Sequence, residues 1–471
     1  MNNELYETNY TNNIECIYGE KRNKNDDEIL VNKSLYNDHE YNVLFENRYN
    51  FSNYDTYSID PYGCKDADDA FSVYEKNDKL YLAIHIADPT QFIPLNSELW
   101  KDIVNRTTTK YLSNRPPIHM MPQKILELSS LMTNNEDEFK NTISIITEID
   151  KNNFTPIHNI ELVFGIVRIH KNNALTYKNA SLLKNKLVAL NIAQKIGESL
   201  FEIRKTKTKG TKLSELENST IIYQDNDLYL YQDDEEEKKM KQMIAEFAIF
   251  ANSFVGQYLK INLNTGIFRT CNASEWLSTV YHDISSEEMI QEIITNGIRA
   301  DYMAKVESHD LVGMPEYCHF TSPIRRLSDC ICHYLLKFIY FKKNNYKIPF
   351  EEQELNKLAV KCLYASKKDK KNQYLDNKFR YLQVMNSMIY KNGKINIKFY
   401  ITGYSGLFLN IIICKINEFT VHMSYTLRIK NYEKEINPKE VNELFVNKVN
   451  CFTKYDENTI PQLDKYILEK N

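Results

Sequence analysis

The sequence predicts an α+β chain whose strands come in two blocks separated by a long helical stretch. Three observations carry that expectation. Leu80, Leu82, Ile84 and Ile86 alternate with Tyr81, Ala83, His85 and Ala87 in the period of two of a strand. Apolar residues then recur at three- and four-residue steps, at Leu187, Leu190, Ala193, Ile196 and Leu200, and again at Met240, Met243, Phe247, Phe250 or Ala251, Phe254 and Tyr258. Beyond the turn signal Asn392-Gly393 the pattern returns to strands.

Taken in order, residues 1–50 are polar, rich in Asn, Asp and Lys, with one apolar patch at Ile14–Tyr18. They read as a segment too short for full OB domains. Residues 55–170 are strand-like, with further strands expected at Thr142–Ile149 and Ile160–Ile169. Two more helices are expected over Ile324–Tyr340 and Leu355–Met388, and the acidic run Asp233–Glu237 reads as a helix entry, with carboxylates near the positive end of the dipole. The last strands are expected at Ile395–Thr402, Leu407–Cys414 and Phe419–Arg428, punctuated by Gly403 and Gly406. About eighty residues of short strands suit a five-stranded OB-type barrel. The expected division is thus 1–50, 51–390 and 391–471.

Of 471 residues, 42% are hydrophobic and 26% charged, which suits a chain that buries a real core and excludes a wholly disordered or collagen-like protein. The net charge of −4 gives no bulk hint of a nucleic-acid partner, so any such partner must be held by local patches. Arg204–Lys209 and Lys367–Lys371 are the strongest basic stretches; each reads either as a path for RNA phosphates or as a solvated helix surface. The nine cysteines include no CxxC pair, which fits free thiols in a reducing compartment, with no disulfide-linked partner. No basic patch followed by an apolar run opens the chain, and its apolar stretches are too short to span a bilayer. The expectation is an intracellular, soluble, cytoplasmic protein without a membrane partner.

The densest chemical signal is Ser58–Val73, where Asp60, Asp66, Asp68 and Asp69 fall together and only Lys65 offsets them locally. Crowded carboxylates do not all stay ionised without cations or water. In extended chain Asp66 and Asp68 share a side, a bend brings in Asp69, and Pro61 and Gly63 permit the loop that returns Asp60. Hard oxygen donors converging in this way suit Mg²⁺ or Mn²⁺. The other reading of the same residues is a solvated acidic loop.

Thr56–Val73 followed by Leu82–Asp88 resembles the opening of the ribonuclease II (RNB) catalytic domain, with its aspartate, five residues, D-x-D-D and a strand ending H-I-A-D. The resemblance continues in order through Arg106, Tyr111 and Leu112, Met120-Met121-Pro122, Leu128–Leu131, Ala174–Tyr177, Met243–Phe247 with Ala251-Asn252, and His309 with Tyr317–Arg326. It covers about residues 55–385, and its ordered blocks are far more specific than any single motif. It implies a mixed sheet surrounded by helices, followed by the OB-like barrel.

The resemblance also implies a Mg²⁺-dependent 3′→5′ exoribonuclease that degrades single-stranded RNA to mononucleotides, acting as a monomer. Asp60, Asp66, Asp68 and Asp69 match the family's metal-binding carboxylates, where two ions about 4 Å apart activate water and neutralise the leaving oxygen. Asp68, Asp69 and Arg325 are the implied catalytic groups, with Mn²⁺ an alternative ion. Tyr111, Tyr177, Glu246, Ser322 and Arg326 are the implied RNA contacts: tyrosines for sequence-tolerant stacking, Glu246 for the terminal ribose. Ser322-Pro323 also reads as a helix start, with Ser as cap and Pro in the first turn, and a helix N-terminus itself favours phosphate. Leu327, Gln91 and Ser129 depart from the family pattern without removing a carboxylate. Two other readings compete: a catalytically idle RNB-fold protein that binds RNA or partners, and a metal hydrolase for another phosphodiester.

Overall fold

The computed structural model describes residues 21–34, 48–111, 116–132, 137–211, 218–224, 227–273, 275, 298–341, 348–428, 436–437, 440–454 and 462–469. The apolar patch at Ile14–Tyr18 and Leu112 lie outside the described residues. After α1 (Lys24–Ser34) come β1 (Tyr49–Asn50), β2 (Ser58–Asp60), β3 (Asp69–Lys76) and β4 (Lys79–Ala87), then α2 (Glu98–Arg106) and α3 (Gln123–Ser129). Next are β5 (Asp137–Ile149), β6 (Pro156–His170), β7 (Ala174–Thr176), α4 (Tyr177–Leu183) and α5 (Val188–Thr208). The hairpin β8 (Thr220–Gln224) and β9 (Asp227–Tyr231) precedes α6 (Glu235–Leu263), β10 (Phe268–Thr270), β11 (Asp301–Met303), α7 (Leu327–Phe341) and α8 (Glu352–Asn392). The chain then runs through β12 (Ile395–Ser405), β13 (Phe408–Ile416), β14 (Phe419–Arg428), β15 (Asn442–Val446), β16 (Lys448–Lys454) and β17 (Gln462–Glu469).

The main sheet has the order β1-β6-β5-β4-β3, antiparallel except for the parallel pairing of β1 with β6. β4 is an interior strand between β5 and β3, and its period-two pattern does not separate core from solvent. Leu82, Ile84 and Ile86 are buried on one face, and Ala83, His85 and Ala87 on the other. The polar residue on the second face is satisfied inside the protein: His85 meets Ser144 Oγ at 2.9 Å through Nδ1 and Ser72 Oγ at 3.0 Å through Nε2. Burial lowers its pKa to about 3, so the imidazole is neutral and is a core histidine. Full burial of a side chain such as Leu82 or Phe71 contributes roughly 1.5–3 kcal/mol, and the apolar residues of β3–β6, α2, α5, α6 and α7 form one continuous core.

Local signals set the helix ends. Asp234 caps α6 with a complete capping box, accepting from Glu237 N at 2.8 Å while Glu237 reaches back to Asp234 N. Thr176 caps α4 by accepting from Asn179 N at 3.1 Å, which fixes how Tyr177 leaves β7. The helix expected to begin at Ser322 begins at Leu327 instead. Pro323–Arg325 form a turn and Arg326 pairs across to Thr108. The reason is tertiary: the Ser322 N–H is taken by Asp329 Oδ1 at 2.8 Å and the Ile324 N–H by Asp68 Oδ1 at 2.7 Å.

α8 runs for 41 residues to a left-handed Gly393 with φ of 77°, whose N–H returns to Ile389 O at 2.7 Å. Its last turns place Phe379, Leu382, Val384 and Met385 in a second core with the C-terminal strands. Those strands are ordered β15-β12-β13-β14-β17-β16, with β14 parallel to β17 and the other pairs antiparallel. β15 and β16 are separated only by Asn447, so they act as one bent strand joining the two ends of the sheet. Five strands closed in this way, with the third parallel to the fifth, are OB-like.

Candidate active site

Asp60 ends β2, where it pairs in register with Thr176 of β7, the residue before Tyr177. The chain then turns at Pro61, whose carbonyl accepts from Cys64 N at 3.1 Å, with Gly63 at φ of 78°. A non-glycine residue is strained at that φ. The loop returns as Asp69 opens β3 opposite Ile86, and Asp68 O accepts from Ala87 N at 2.8 Å. Four carboxylates are thus carried on one sheet edge and one tight loop, fixed at both ends by strand pairing.

The turn before α7 closes over this loop. Asp68, 2% exposed, accepts from Ile324 N through Oδ1 and from Arg325 Nε at 2.9 Å through Oδ2. Arg325 also donates through Nη2 to Ser322 Oγ at 3.0 Å, while its side chain keeps 43% exposure. Its neighbour Arg326 is bound to Asp329 Oδ1 at 2.9 Å. The segment 107–110 aligns this turn, through Thr109 N to Arg325 O at 3.0 Å and Leu327 N to Thr107 O at 2.9 Å. That segment is itself pinned to α8, because Lys110 Nζ meets Asp369 Oδ2 at 2.7 Å. Asp369 interrupts the basic run 367–371 and so ties it inward rather than leaving it a continuous positive stripe.

The electrostatics of the loop are those of carboxylates short of positive charge. Burial raises Asp68 to about 8, against the opposing pull of Arg325 and the Ile324 N–H. Burial likewise raises Asp69 to about 6, opposed by Arg325 and Arg326. Asp60 is pushed well above the usual carboxylate range by burial and by the charges of Asp69 and Asp68. Its Oδ2 is buried without a hydrogen-bond partner. Tyr111 donates its hydroxyl to Asp66 Oδ2 at 2.6 Å, and the residue is 39% exposed. Tyr177 directly follows Thr176, the partner of Asp60 in the β2–β7 pairing, and burial, then the charges of Asp60 and Asp69, raise its hydroxyl pKa.

Asp60, Asp66, Asp68, Asp69, Tyr111, Tyr177, Ser322, Arg325 and Arg326 are therefore gathered in one region. Glu246, expected at a terminal ribose, is turned into the core in this arrangement. It is 1% exposed, and its oxygens accept from Arg204 Nη2 at 2.6 Å, Arg204 Nε at 3.0 Å and Gln242 Nε2 at 2.5 Å. Arg204, read from sequence as the start of a basic stretch, is a core residue whose Nη1 also donates to Thr211 O and Val312 O.

Two neighbours of the cluster were not singled out from sequence. Cys64 lies between Asp60 and Asp66, with Sγ 3.7 Å from an Oδ1 of each. His119 stands at the other oxygen of Asp66, its Nδ1 3.7 Å from Oδ2. Burial lowers the His119 pKa, and Nδ1 is buried without a hydrogen-bond partner. Cys64 was visible in the D-x₅-D spacing, and His119 stands directly before Met120-Met121-Pro122.

Among the described residues, no three His, Cys, Asp or Glu side chains are already drawn together as a metal-ligand set. The donors fit a divalent cation on other grounds. Their oxygens are hard, the buried Asp60 Oδ2 lacks a partner, and burial holds three of the carboxylates above their ordinary range. Asp60, Asp66, Asp68 and Asp69 are the residues that would hold it.

Residues 48–342 match the RNB domain. The chain is 25% identical over 360 residues to ribonuclease R of Mycoplasmopsis pulmonis, covering 68% of this chain and 49% of that protein. It thus spans about half the length of the curated relatives it matches. Among solved structures, Mycoplasma genitalium RNase R in complex with ribose-methylated single-stranded RNA superposes with a TM-score of 0.73 at 17% identity, covering 98% of this chain and 78% of that one. Yeast Ssd1, described as a pseudonuclease, superposes with a TM-score of 0.63 at 17% identity, covering 83% of this chain and 51% of that one. At such identities the two superpositions speak to the fold. Among the described residues, no helix is long and apolar enough to cross a membrane.

Proposed function

The chain belongs to the RNB domain family, and from that premise we propose that it hydrolyses single-stranded RNA from the 3′ end to 5′-mononucleotides with Mg²⁺. The observation that carries this reading is the convergence of four carboxylates with Arg325 on one edge, with Asp68 fixed by the Ile324 N–H and the arginine. We take the catalytic unit as residues 51–390 and the OB-like unit as 391–471. Single-stranded RNA is the partner this reading requires.

Bound Mg²⁺ would supply an activated water and charge neutralisation at the leaving oxygen. The protein's own groups do the rest. Asp60, Asp68 and Asp69 offer oxygens that the fold cannot ionise cheaply without a cation, which turns the burial of these groups into affinity for one, and Asp66 adds a further oxygen beside them. Arg325 has Nε on Asp68 and Nη2 on Ser322, so its remaining N–H groups face outward from the half-exposed guanidinium. They can take a non-bridging phosphate oxygen and stabilise charge that grows there. The Tyr111 ring gives a stacking surface for a terminal base, and its bond to Asp66 couples that surface to the acidic loop.

The test is an unstructured, 5′-labelled RNA of about thirty nucleotides, longer than one or two OB-type sites cover. It is incubated with the wild-type chain and with Asp68→Asn, each in Mg²⁺ and in EDTA. Progressive 3′ shortening that needs both Mg²⁺ and Asp68 is the expected result. Intact RNA in every lane with retained binding would replace this reading with an RNA-binding protein of the same fold.

A further inference from the structure

We propose that Arg269, stacked on Tyr302 and flanked by His319 and Arg326, is a phosphate-binding subsite that takes a backbone phosphate of the RNA on the 5′ side of the scissile one. The inference rests on the exoribonuclease reading and deepens it, adding a grip on the strand outside the acidic loop.

The site starts from a strand pairing. Arg269 of β10 and Tyr302 of β11 are direct cross-strand partners, and the guanidinium carbon lies 4.6 Å from the centre of the Tyr302 ring. Arg269 is 6% exposed, and its Nη1 is buried without a hydrogen-bond partner. Among the described residues no carboxylate pairs with it, because those nearby are held elsewhere. Asp301 meets Lys367 Nζ at 3.0 Å, Asp310 accepts from Ala273 N at 2.7 Å and Ser308 Oγ at 2.6 Å, and Asp329 accepts from Arg326 Nη2 at 2.9 Å. A guanidinium does not shed its proton when buried, so without a counter-charge its burial is costly. An anion from outside would remove that cost.

The surroundings add charge of the same sign and a way in. The Tyr302 hydroxyl meets His319 Nδ1 at 2.6 Å; donated to that nitrogen, it leaves the imidazole proton on Nε2 as a further donor. Burial, then the charges of Arg326 and Arg269, hold His319 well below the ordinary histidine range, with His309 and Lys370 acting in the same sense. Arg326 keeps its Nε buried without a partner while Nη2 serves Asp329. His319 is half-buried and the Arg326 side chain 25% exposed, so the site meets solvent at these two residues, with Arg269 beneath.

Phosphate of the strand is the anion this position favours. Arg325 and Arg326 are consecutive, and they divide the turn: Arg325 reaches Asp68 in the acidic loop, and Arg326 reaches Asp329. A strand with its scissile phosphate at Arg325 must carry its next phosphates away from four carboxylates, and Arg326 is where the turn next offers positive charge. A stacked guanidinium is already oriented, so it loses little freedom on taking phosphate oxygens.

The test compares the full-length wild type with Arg269→Met and Arg269→Lys, all checked for folding by circular dichroism. Affinity for a labelled, unstructured RNA is measured by fluorescence anisotropy in EDTA, and kcat/KM in Mg²⁺, each against KCl concentration. Arg269→Met should weaken RNA binding by roughly tenfold and flatten the slope of log Kd against log salt by about 0.7, the share of one single-strand phosphate. Arg269→Lys should keep the slope. In chloride without RNA, Arg269→Met should raise the urea midpoint, where a purely structural arginine would lower it. An unchanged slope in folded Arg269→Met, in both measurements, overturns the inference and leaves the exoribonuclease reading standing. Inorganic phosphate that raises the melting temperature of the wild type but not of Arg269→Met, with the slope unchanged, would make this a small-anion site and overturn its assignment to the strand. A folded wild type that neither binds nor shortens RNA takes the inference and the reading down together.

Discussion

Two buried aspartate centres lie side by side at one end of the β3–β4 ladder, where Asp69 pairs with Ile86 and Ala87 N meets Asp68 O, and they solve the same problem in opposite ways. Asp88, just past β4, is fully buried between Arg48 Nη2 at 2.9 Å and Lys337 Nζ at 2.7 Å, and also accepts from Thr90 Oγ1 at 2.9 Å. Burial opposes its ionisation, but Lys337, His333 and Arg48 together hold it well below the ordinary carboxylate range. The Asp60–Asp69 loop has four carboxylates, and Arg325 is the cation paired within it. There burial wins, and Asp60, Asp68 and Asp69 are all held high. A centre with its counter-charges built in is structural. One left short of them is arranged to receive positive charge from outside.

The largest expected effect tests the starved centre. Asp68→Asn keeps an acceptor for the Ile324 N–H but removes a charge, and should lower the RNA cleavage rate by roughly 10³-fold or more. Affinity for RNA, read by gel shift, should change little. If instead binding is lost while cleavage of the bound fraction persists, Asp68 belongs with the structural centre.

The satisfied centre should answer in stability. Lys337→Met leaves Asp88 with one cation in a dry site and should cost about 3–5 kcal/mol, read as a fall in the urea midpoint. Asp60→Asn in metal-free protein should shift the midpoint the other way, because it removes a charge that the fold already disfavours. Equal signs for the two substitutions would break the comparison.

Which of these features could be read from sequence follows from how far away their partners lie. The four carboxylates fall within one short stretch, with Pro61 and Gly63 to turn it, so their convergence is local and legible. The α+β order and the strand-rich C-terminal unit follow from periodicity alone. Ser322-Pro323 carries every local sign of a helix start, yet the helix starts later, because Asp68 claims the Ile324 N–H from 256 residues away. Glu246 was placed at a ribose by the family resemblance of its helix; the partner its buried carboxylate needs, Arg204, lies 42 residues away in a stretch whose basic composition reads as solvated surface. The Asp88 centre was equally hidden: Arg48 follows a polar segment, and Lys337 sits in an apolar helix where only tertiary pairing explains a lysine.

A smaller effect follows from pH. Burial raises Asp69 to about 6 and Asp68 to about 8, so the folded metal-free protein retains protons that the unfolded chain releases near pH 4. That contribution to stability is fully present below about pH 4 and is lost as pH rises through 6 and then 8. Asp88, held low, contributes in the opposite sense, present above about pH 4 and lost only in acid. Added Mg²⁺ should therefore raise the melting temperature by more at pH 8.5 than at pH 5, a difference on the order of a few degrees. A metal effect independent of pH would mean that the ion does not displace these protons.

The smallest effect separates the two parts of Tyr111. Its hydroxyl holds Asp66 Oδ2 at 2.6 Å, while its ring is the partly exposed face offered to a base. Tyr111→Phe removes only the hydroxyl and should cost about 1 kcal/mol, the usual value of one hydrogen bond. Tyr111→Ala also removes the stacking surface, a further loss of roughly 1–3 kcal/mol that should appear in KM for short oligonucleotides. A KM that rises in Tyr111→Ala and stays nearly unchanged in Tyr111→Phe would show that the ring serves the RNA and the hydroxyl serves the acidic loop. Equal losses in the two variants would mean that what the RNA site needs is the hydroxyl's hold on Asp66, not a stacking surface.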